Sequence, residues 1–250
     1  MELFSLKGQT AVVTGVSRGL GRAMALALAG AGADIIGIGL HSMAEIGREI
    51  TALGVRFTPV HADFTNPESA VAAAKEALKA APRIGILVNN AGLTPIHPAE
   101  EYPAADFDLV MNVNVKALFL LTQEIGRQMI QNRYGRIINV CSVQSMKGGQ
   151  LVSAYVASKH AVAGLTRAFA NEWGKYGVTV NGIAPGYMVT DNTARLRTQT
   201  QAAASITAQI PAGRWGQPED LMGPVVFLAS ESSRYVNGHL LVADGGYLNN

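Results

Sequence analysis

Short β-branched runs alternate with longer helical patterns along the whole chain. Several of the runs are apolar throughout, as expected for strands buried on both faces of a parallel sheet. The runs are Thr10–Thr14, Ile35–Gly39, Arg56–His61, Ile84–Val88, Arg136–Val140, Thr179–Ile183 and His239–Ala243. The helical patterns are Leu20–Gly30, Met43–Leu53, Pro67–Ala80, Phe107–Asn132, Ala154–Tyr176 and Glu219–Ser230. This order predicts an α/β fold, a doubly wound seven-stranded parallel sheet with helices on both faces.

Composition narrows the protein class. Of 250 residues, 48% are hydrophobic and 15% charged, which is enough apolar surface for one large domain over residues 1–250. The net charge is only +2 and like charges do not cluster, so we expect no nucleic-acid or membrane partner. Cys141 is the only cysteine, and the chain shows neither a secretory leader pattern nor a long apolar run. We therefore expect a cytoplasmic protein.

A glycine-rich loop, Thr14–Gly21, follows the first predicted strand and opens the first helix. Glycines allow a tight turn and a close approach of a pyrophosphate, while the helix N-terminus supplies N–H groups and a favourable dipole. The spacing is Gly-x3-Gly-x-Gly, at Gly15, Gly19 and Gly21. We interpret the loop as the phosphate site of a Rossmann-type dinucleotide fold.

This loop and several later segments together resemble the short-chain dehydrogenase/reductase family. The matching segments occur in the family's order and span essentially the whole chain. They are Asp63 after the third strand, Asn89–Gly92 after the fourth, Asn114 in the long helix, Ser142 at the end of the fifth strand, Tyr155-x3-Lys159 in the next helix, and Pro185–Thr190 after the sixth strand.

The resemblance implies a nicotinamide cofactor and the residues that bind it. These are Gly15, Ser17, Arg18, Gly19, Leu20, Gly21, Gly39, Asp63, Phe64, Asn90, Ala91, Gly92, Tyr155, Lys159, Pro185, Gly186, Met188 and Thr190. No arginine stands beside Gly39 at the end of the second strand to hold a 2′-phosphate. The resemblance to one subgroup within the family also favours NAD(H), and this decides the expectation. Arg18 is the contrary signal, since a basic residue in the glycine loop often accompanies NADP(H).

Four residues are the predicted catalytic set, namely Asn114, Ser142, Tyr155 and Lys159. A free phenol ionises only near pH ~10, and a lysine at i+4 lies on the same helix face and stabilises the phenolate. The resemblance implies that Tyr155 exchanges a proton with the substrate and that Lys159 also holds the nicotinamide ribose. Ser142 would bind the substrate oxygen, and Asn114 would hold a water that links Lys159 to solvent.

Further motifs resemble one subgroup of the family, the 2-deoxy-D-gluconate 3-dehydrogenases, also described as 2-dehydro-3-deoxy-D-gluconate 5-dehydrogenases. They are Asn171–Trp173, Ala184–Met188, Ile210–Gly216 and Asp244–Gly246. This resemblance implies a deoxy sugar acid or keto-uronate as substrate. One departure is that the subgroup's basic residues after the Asn-Asn-Ala-Gly turn are replaced by Leu93–His97, so a neutral hydroxy-ketone is a rival substrate.

The predicted substrate-binding residues are Ser142, Gln144, Gln150, Tyr155 and Tyr187. Met146 and the segment Thr190–Trp215 complete the predicted wall, and residues 185–215 form a candidate lid. Four cations are candidate partners for a carboxylate: Lys147, Arg195, Arg197 and Arg214.

Two other functions stay open at this point. A β-ketoacyl carrier-protein reductase would need a basic docking face, for which Arg133 and Arg136 are candidates. A cofactor-binding regulator without catalysis is a remote alternative, because such proteins typically lose the tyrosine or lysine. The histidine and cysteine spacing predicts no metal site. Apolar faces on Phe107–Asn132 and Ala154–Tyr176, with the end Tyr235–Leu248, predict a homotetramer.

Overall fold

A computed structural model of the chain describes residues 2–249, and within them seven strands form one parallel sheet. The sheet order is β3-β2-β1-β4-β5-β6-β7. The strands are β1 (Thr10–Thr14), β2 (Asp34–Gly39), β3 (Phe57–His61), β4 (Ile86–Asn89), β5 (Gly135–Val140), β6 (Val178–Pro185) and β7 (Leu240–Ala243). The predicted fold class and every predicted strand are confirmed, with small shifts at the strand ends.

Helices cover both faces of the sheet. They are α1 (Gly19–Gly30), α2 (Ala44–Ala52), α3 (Glu68–Ala80), α4 (Ala104–Met111), α5 (Ala117–Gln131), α6 (Ser153–Trp173), α7 (Ala194–Thr198), α8 (Thr200–Ala208) and α9 (Met222–Ala229). Along β1, Ala11 and Val13 pack with α1, α2 and α9, whereas Val12 packs with α3, α5 and α6. This division follows from the two-residue period of a strand. No helix within residues 2–249 is both long and apolar enough to cross a membrane.

The strand order reverses between β1 and β4, which are neighbours in the sheet although β2 and β3 lie between them in sequence. In open α/β sheets, ligands bind beyond the carboxyl ends of the strands at such a point. Here the loops that follow β1, β4, β5 and β6 meet and enclose a cleft of about 1390 Å³.

The structure departs from the sequence prediction at the long helix Phe107–Asn132. The helix begins three residues earlier, at Ala104, and a π-helical turn at Asn112–Lys116 separates α4 from α5. No glycine or proline within residues 112–116 marks an interruption of the helix in the sequence. Such turns frequently occur at functional sites, and this one contains Asn114.

Residues 185–215, in which the sequence shows no clear period, include the short helices α7 and α8. Both ends of the segment are held together, because Val189 N donates to Gly216 O at 2.8 Å and Gly216 N donates to Tyr187 O at 2.9 Å. Ile210 and Trp215 are buried in a small apolar cluster with Tyr247, near the chain's end. The segment is therefore an ordered cap with its own core.

Candidate active site

The glycine loop has the backbone shape that a phosphate site requires. Gly15 and Gly19 adopt φ of +67° and +56°, values that residues with a Cβ rarely reach. Arg18 precedes α1 without a side-chain cap, so no side chain occupies the helix N-terminus from that position. A Cβ at Gly21 would overlap the carbonyl oxygen of Gly15. Gly21, predicted to contact cofactor, therefore lies beneath the loop and shapes it from behind.

Asn90 fastens the turn after β4 to the glycine loop. The Thr14 hydroxyl accepts hydrogen bonds from the backbone N–H groups of Asn90 and Ala91, both at 2.9 Å. The Asn90 side chain donates in return to the carbonyls of Thr14 at 2.9 Å and Gly15 at 3.3 Å. These bonds hold the floor of the cleft at a fixed distance from the phosphate loop.

The end of the cleft next to β2 and β3 is lined by Gly39, Leu40, His41 and Asp63. The backbone N–H of Thr65 donates to Asp63 at 2.9 Å, and this hydrogen bond lowers the pKa of the Asp63 carboxyl. An ionised carboxylate here is a suitable acceptor for the amino group of an adenine.

Arg18 and Asp191 connect the glycine loop with the cap. The guanidinium lies 3.2 Å from the carboxylate, and both side chains are exposed. The charge of Arg18 is thus already partnered within the chain.

Tyr155 and Lys159 project from the same face of α6 into the cleft. Lys159 is buried, and its Nζ donates to the carbonyl of Val140 at 2.6 Å. The same Nζ lies 5.5 Å from the centre of the Tyr155 ring. In the part of the chain that the structure describes, the Tyr155 hydroxyl has no hydrogen-bond partner, so it is free to meet a ligand.

Ser142 is buried at the end of β5 and rigidly placed. Its Oγ accepts from Gln144 N at 3.1 Å, and its own N–H donates to Ser145 Oγ at 3.2 Å. Ser145 Oγ in turn donates to the carbonyl of Lys159 at 2.8 Å, which ties this loop to α6. Across residues 2–249 the Ser142 hydroxyl proton has no acceptor, and it remains available to a substrate oxygen.

Asn114 lies behind the cleft, and the structure does not place it in the wall. Its Nδ2 donates to Leu93 O and to Ser158 Oγ, both at 3.0 Å, and its Oδ1 accepts from Leu93 N at 2.9 Å. Both side-chain donors are therefore used by the protein. Within residues 2–249 the Asn114 side chain thus has no free donor for the water that the resemblance implies.

Aromatic and amide side chains form the substrate end of the cleft. The Tyr187 ring contacts Tyr247 edge-to-face at 5.2 Å and lies 5.3 Å from Trp215. Burial, and after it the neighbouring Tyr247 hydroxyl, raise the pKa of Tyr187 to about 12. Tyr187 is thus a neutral hydrogen-bonding phenol at physiological pH. Gln144 Oε1 is buried and has no hydrogen-bond partner in the described residues.

The cleft unites nearly all the predicted site residues. Every predicted cofactor residue except Gly21 lines it, and so does every predicted substrate residue. Met146 and Trp215, which were predicted to belong to the wall, do not line the cleft. Met146 is exposed to solvent, and Trp215 is buried in the small apolar cluster of the cap. Sequence reasoning missed Tyr247 and Val113, which line the cleft although no local motif marks either residue.

The basic residues separate into two groups. Lys147 and Arg195 line the cleft, whereas Arg197 and Arg214 do not. Arg214 makes two bonds to the carboxylate of Asp220, at 2.7 and 3.0 Å. Arg197 donates to the carbonyl of Thr190 at 3.3 Å.

His97 also lies outside the cleft wall. Its ring nitrogen is 2.6 Å from the Asp106 carboxylate, and its ring packs edge-to-face against Tyr102. We infer that His97 stabilises the loop that follows the Asn-Asn-Ala-Gly turn.

The structure corrects the idea of a docking face around Arg136. This side chain is buried at the start of β5, at the amino-terminal end of the strands, whereas the cleft lies at their carboxyl end. It pairs with Glu231 at 3.0 Å. A buried, paired guanidinium cannot receive an acidic carrier protein.

A dinucleotide fits these residues. The glycine loop offers backbone N–H groups to a pyrophosphate, Asp63 lies at one end of the cleft, and Lys159 and Tyr155 lie at the other. Among residues 2–249 no group of three or more His, Cys, Asp or Glu side chains is arranged to hold a metal ion. Fold and cleft together define a nicotinamide-dinucleotide oxidoreductase that acts on CH–OH groups.

Comparison with known proteins gives the family. A family model described as Enoyl-(Acyl carrier protein) reductase matches residues 15–248. The chain belongs to the short-chain dehydrogenase/reductase family.

Several relatives are similar over their full length. The 2-dehydro-3-deoxy-D-gluconate 5-dehydrogenase of Escherichia coli (strain K12) is 49% identical, covering 99% of this chain and 98% of that protein. The Bacillus subtilis (strain 168) enzyme of the same name is also 49% identical, with coverages of 99% and 97%. A solved gluconate 5-dehydrogenase from Burkholderia cenocepacia J2315, in complex with NADP and tartrate, superimposes with a TM-score of 0.95. It is 36% identical, with coverages of 100% and 98%.

Proposed function

We propose that the protein interconverts a secondary alcohol and a ketone on a small sugar acid, most closely a deoxy sugar acid or keto-uronate. The observation that carries the proposal is that one cleft holds three groups together. They are the Tyr155 hydroxyl, which has no partner in the described residues, the Ser142 hydroxyl, whose proton has no acceptor there, and the buried Lys159. Relatives named as deoxygluconate and gluconate dehydrogenases, at 39–49% identity, support the sugar acid.

Three side chains divide the work in this proposal. The nicotinamide, when bound, supplies or accepts the hydride. Tyr155 donates a proton to the substrate oxygen during reduction and removes it during oxidation. Lys159 stabilises the phenolate and would hold the nicotinamide ribose hydroxyls. Ser142 donates a hydrogen bond to the same substrate oxygen and keeps the reacting carbon in place.

The polar lining favours a hydroxylated substrate over an acyl chain. Gln144, Gln150 and Tyr187 supply hydrogen-bonding side chains to the wall. The hydroxyls of a sugar can exchange hydrogen bonds with such groups. A fatty acyl chain would cover them without giving them a partner, which argues against the β-ketoacyl alternative.

The test is a substrate panel read by the absorbance of the reduced cofactor. It contains 2-dehydro-3-deoxy-D-gluconate, D-gluconate, D-sorbitol, a vicinal cyclic diol and a β-ketoacyl thioester. We expect the highest kcat/KM with one of the sugar acids. Turnover of the diol or the thioester without any sugar acid would reject the proposed substrate class, and cofactor binding without any turnover would favour the regulator.

We also propose a preference for NAD(H). Arg18, the side chain best placed for a 2′-phosphate, is paired with Asp191, and Gly39–His41 provide no arginine. The Burkholderia relative carries NADP, so we expect both cofactors to bind. The prediction is a higher kcat/KM with NAD(H), and a shift of a few-fold toward NADP(H) in Asp191→Asn, since an exposed ion pair contributes only ~1 kcal/mol. A tenfold preference of the unaltered enzyme for NADPH would reverse this assignment.

The last element of the proposal concerns assembly. Phe107 on α4 is 43% exposed, Val242 on the edge strand β7 is 39% exposed, and Tyr235 is fully exposed. Apolar surface of this kind often marks a subunit interface. We expect a cytoplasmic homotetramer, with a light-scattering mass about four times the 26.3 kDa of one chain. A mass near that of one chain at micromolar concentration would contradict the expectation.

A further inference from the structure

Lys147 is the feature of the substrate end that the proposed chemistry does not yet use. It lies on the loop between the 3₁₀ turn Val143–Ser145 and α6, five residues after Ser142. Lys147 lines the same cleft as Tyr155 and Tyr187. A cation in this position faces whatever part of the substrate extends away from the reacting carbon.

Tyr247 positions Lys147 from the other end of the chain. The Lys147 Nζ lies 3.3 Å from the Tyr247 hydroxyl and 4.3 Å from the centre of its ring. Tyr247 is itself buried and packed against Tyr187. A flexible lysine side chain that is held in this way loses less freedom on binding, so its charge is directed before the ligand arrives.

The Lys147 loop is also fixed next to Gln144. A Cβ on Gly149 would overlap the Gln144 side-chain amide, so the loop and this amide are in close contact. Lys147 and Gln144 both line the wall of the cleft. One group prefers an anion and the other a hydroxyl.

The charge balance of the cleft points to an anionic ligand. Within residues 2–249, Lys147 has no carboxylate within 4.0 Å. The acidic residues in the wall are Asp63, at the opposite end, and Asp191, which is paired with Arg18. Three other cations line the wall. Arg18 is paired with Asp191, and Lys159 donates to the Val140 carbonyl. Arg195 lies on α7, and within residues 2–249 it makes no hydrogen bond or cation–π contact with Tyr187 or Tyr247. Lys147 is thus the preoriented positive charge that lacks a counter-charge.

We propose that Lys147 binds the carboxylate of the substrate and that Tyr247 is its positioning residue. The inference rests on the proposed sugar-acid function and adds the group that selects the acid. It also gives this chain a cation for the carboxylate although Leu93–His97 contains no lysine or arginine.

The main experiment compares Lys147→Met with Lys175→Met. Lys175 also lies over a tyrosine ring, that of Tyr176. It precedes β6, however, and so lies at the amino-terminal end of the strands, away from the cleft. With the best sugar acid, Lys147→Met should lower kcat/KM at least about 30-fold, mainly through KM, because a charge pair loses one partner. Lys147→Arg should recover most of the loss, and Lys175→Met should match the unaltered enzyme.

Tyr247→Phe tests the positioning role separately. It keeps the ring under the ammonium and removes the hydroxyl, so we expect a rise of several-fold in KM for the acid with little change in kcat. An equal effect on D-gluconate and D-sorbitol would show a general packing role and overturn the assignment of Tyr247.

Binding separates this inference from the proposed function. Titration calorimetry of D-gluconate against D-sorbitol uses enzyme saturated with reduced cofactor, which cannot oxidise either ligand. We expect gluconate to bind more tightly, and Lys147→Met to abolish the difference. Equal binding of the two ligands, or a difference that survives in Lys147→Met and disappears in Arg195→Gln, overturns the inference. The substrate panel judges the proposed function independently of this result.

Discussion

Tyr155→Phe is expected to lower kcat by a factor of at least ~100 while the cofactor binds almost as before. The substitution removes only the hydroxyl. The ring stays on α6, where Lys159 Nζ lies 5.5 Å from its centre. Because this hydroxyl has no partner in the described residues, its loss breaks no hydrogen bond of the protein, and the folded state should keep its stability.

Steady-state turnover, cofactor binding by fluorescence titration and thermal unfolding measure these three quantities. Tyr176→Phe is the matched control, since Tyr176 follows α6 in the chain but lies outside the cleft wall. Tyr187 cannot replace Tyr155 as the base, because its pKa is raised to about 12 by burial and by Tyr247. A Tyr155→Phe enzyme that kept most of its turnover on the best substrate would refute the proton-transfer role.

Lys159→Ala is expected to lower kcat/KM by a factor on the order of 100 or more and to weaken cofactor binding as well. The two effects occur together because one ammonium would stabilise the phenolate and hold the ribose. The substitution also leaves the Val140 carbonyl, now bonded at 2.6 Å, without its donor. We therefore expect a modest loss of stability, ~1–3 kcal/mol for an unsatisfied buried acceptor.

The measurements are the KM for cofactor, kcat, and the free energy of unfolding in urea. Lys175→Ala serves as the control for removing a lysine near a tyrosine ring. If cofactor affinity were unchanged while kcat fell, the ribose contact would be wrong and the proton role would stand. If both were unchanged, Lys159 would be a structural residue only.

The regular elements could be predicted from the sequence because their signals are local. Apolar β-branched runs identify strands covered on both faces, and all seven appear in the sheet. The four-residue spacing of Tyr155 and Lys159 places both on one face of any helix. Gly15 and Gly19 indicate positive φ, and the structure has it at both positions.

The interior of the cap needed the structure. Helices α7 and α8 are five and nine residues long, and the sequence shows no clear hydrophobic period over them. Their apolar side chains pack against Tyr187 and also against Tyr247, which stands near the chain's end. The π turn at Asn112–Lys116 escaped prediction because no glycine or proline marks it in the sequence.

By itself, the sequence determined the sheet, the phosphate loop and the tyrosine–lysine pair, because each depends on periods of two or four residues or on backbone angles that glycine alone tolerates. The tertiary structure decided which charged side chains are bound within the protein and which are available to a ligand. Lys147 and Arg214 look alike in sequence, yet Arg214 is bound to Asp220 whereas Lys147 meets Tyr247, 100 residues away. Arg18 likewise finds Asp191 across 173 residues. The partners of Lys147 and Arg18 depend on where separate loops converge at the end of the sheet, and no local pattern encodes that geometry.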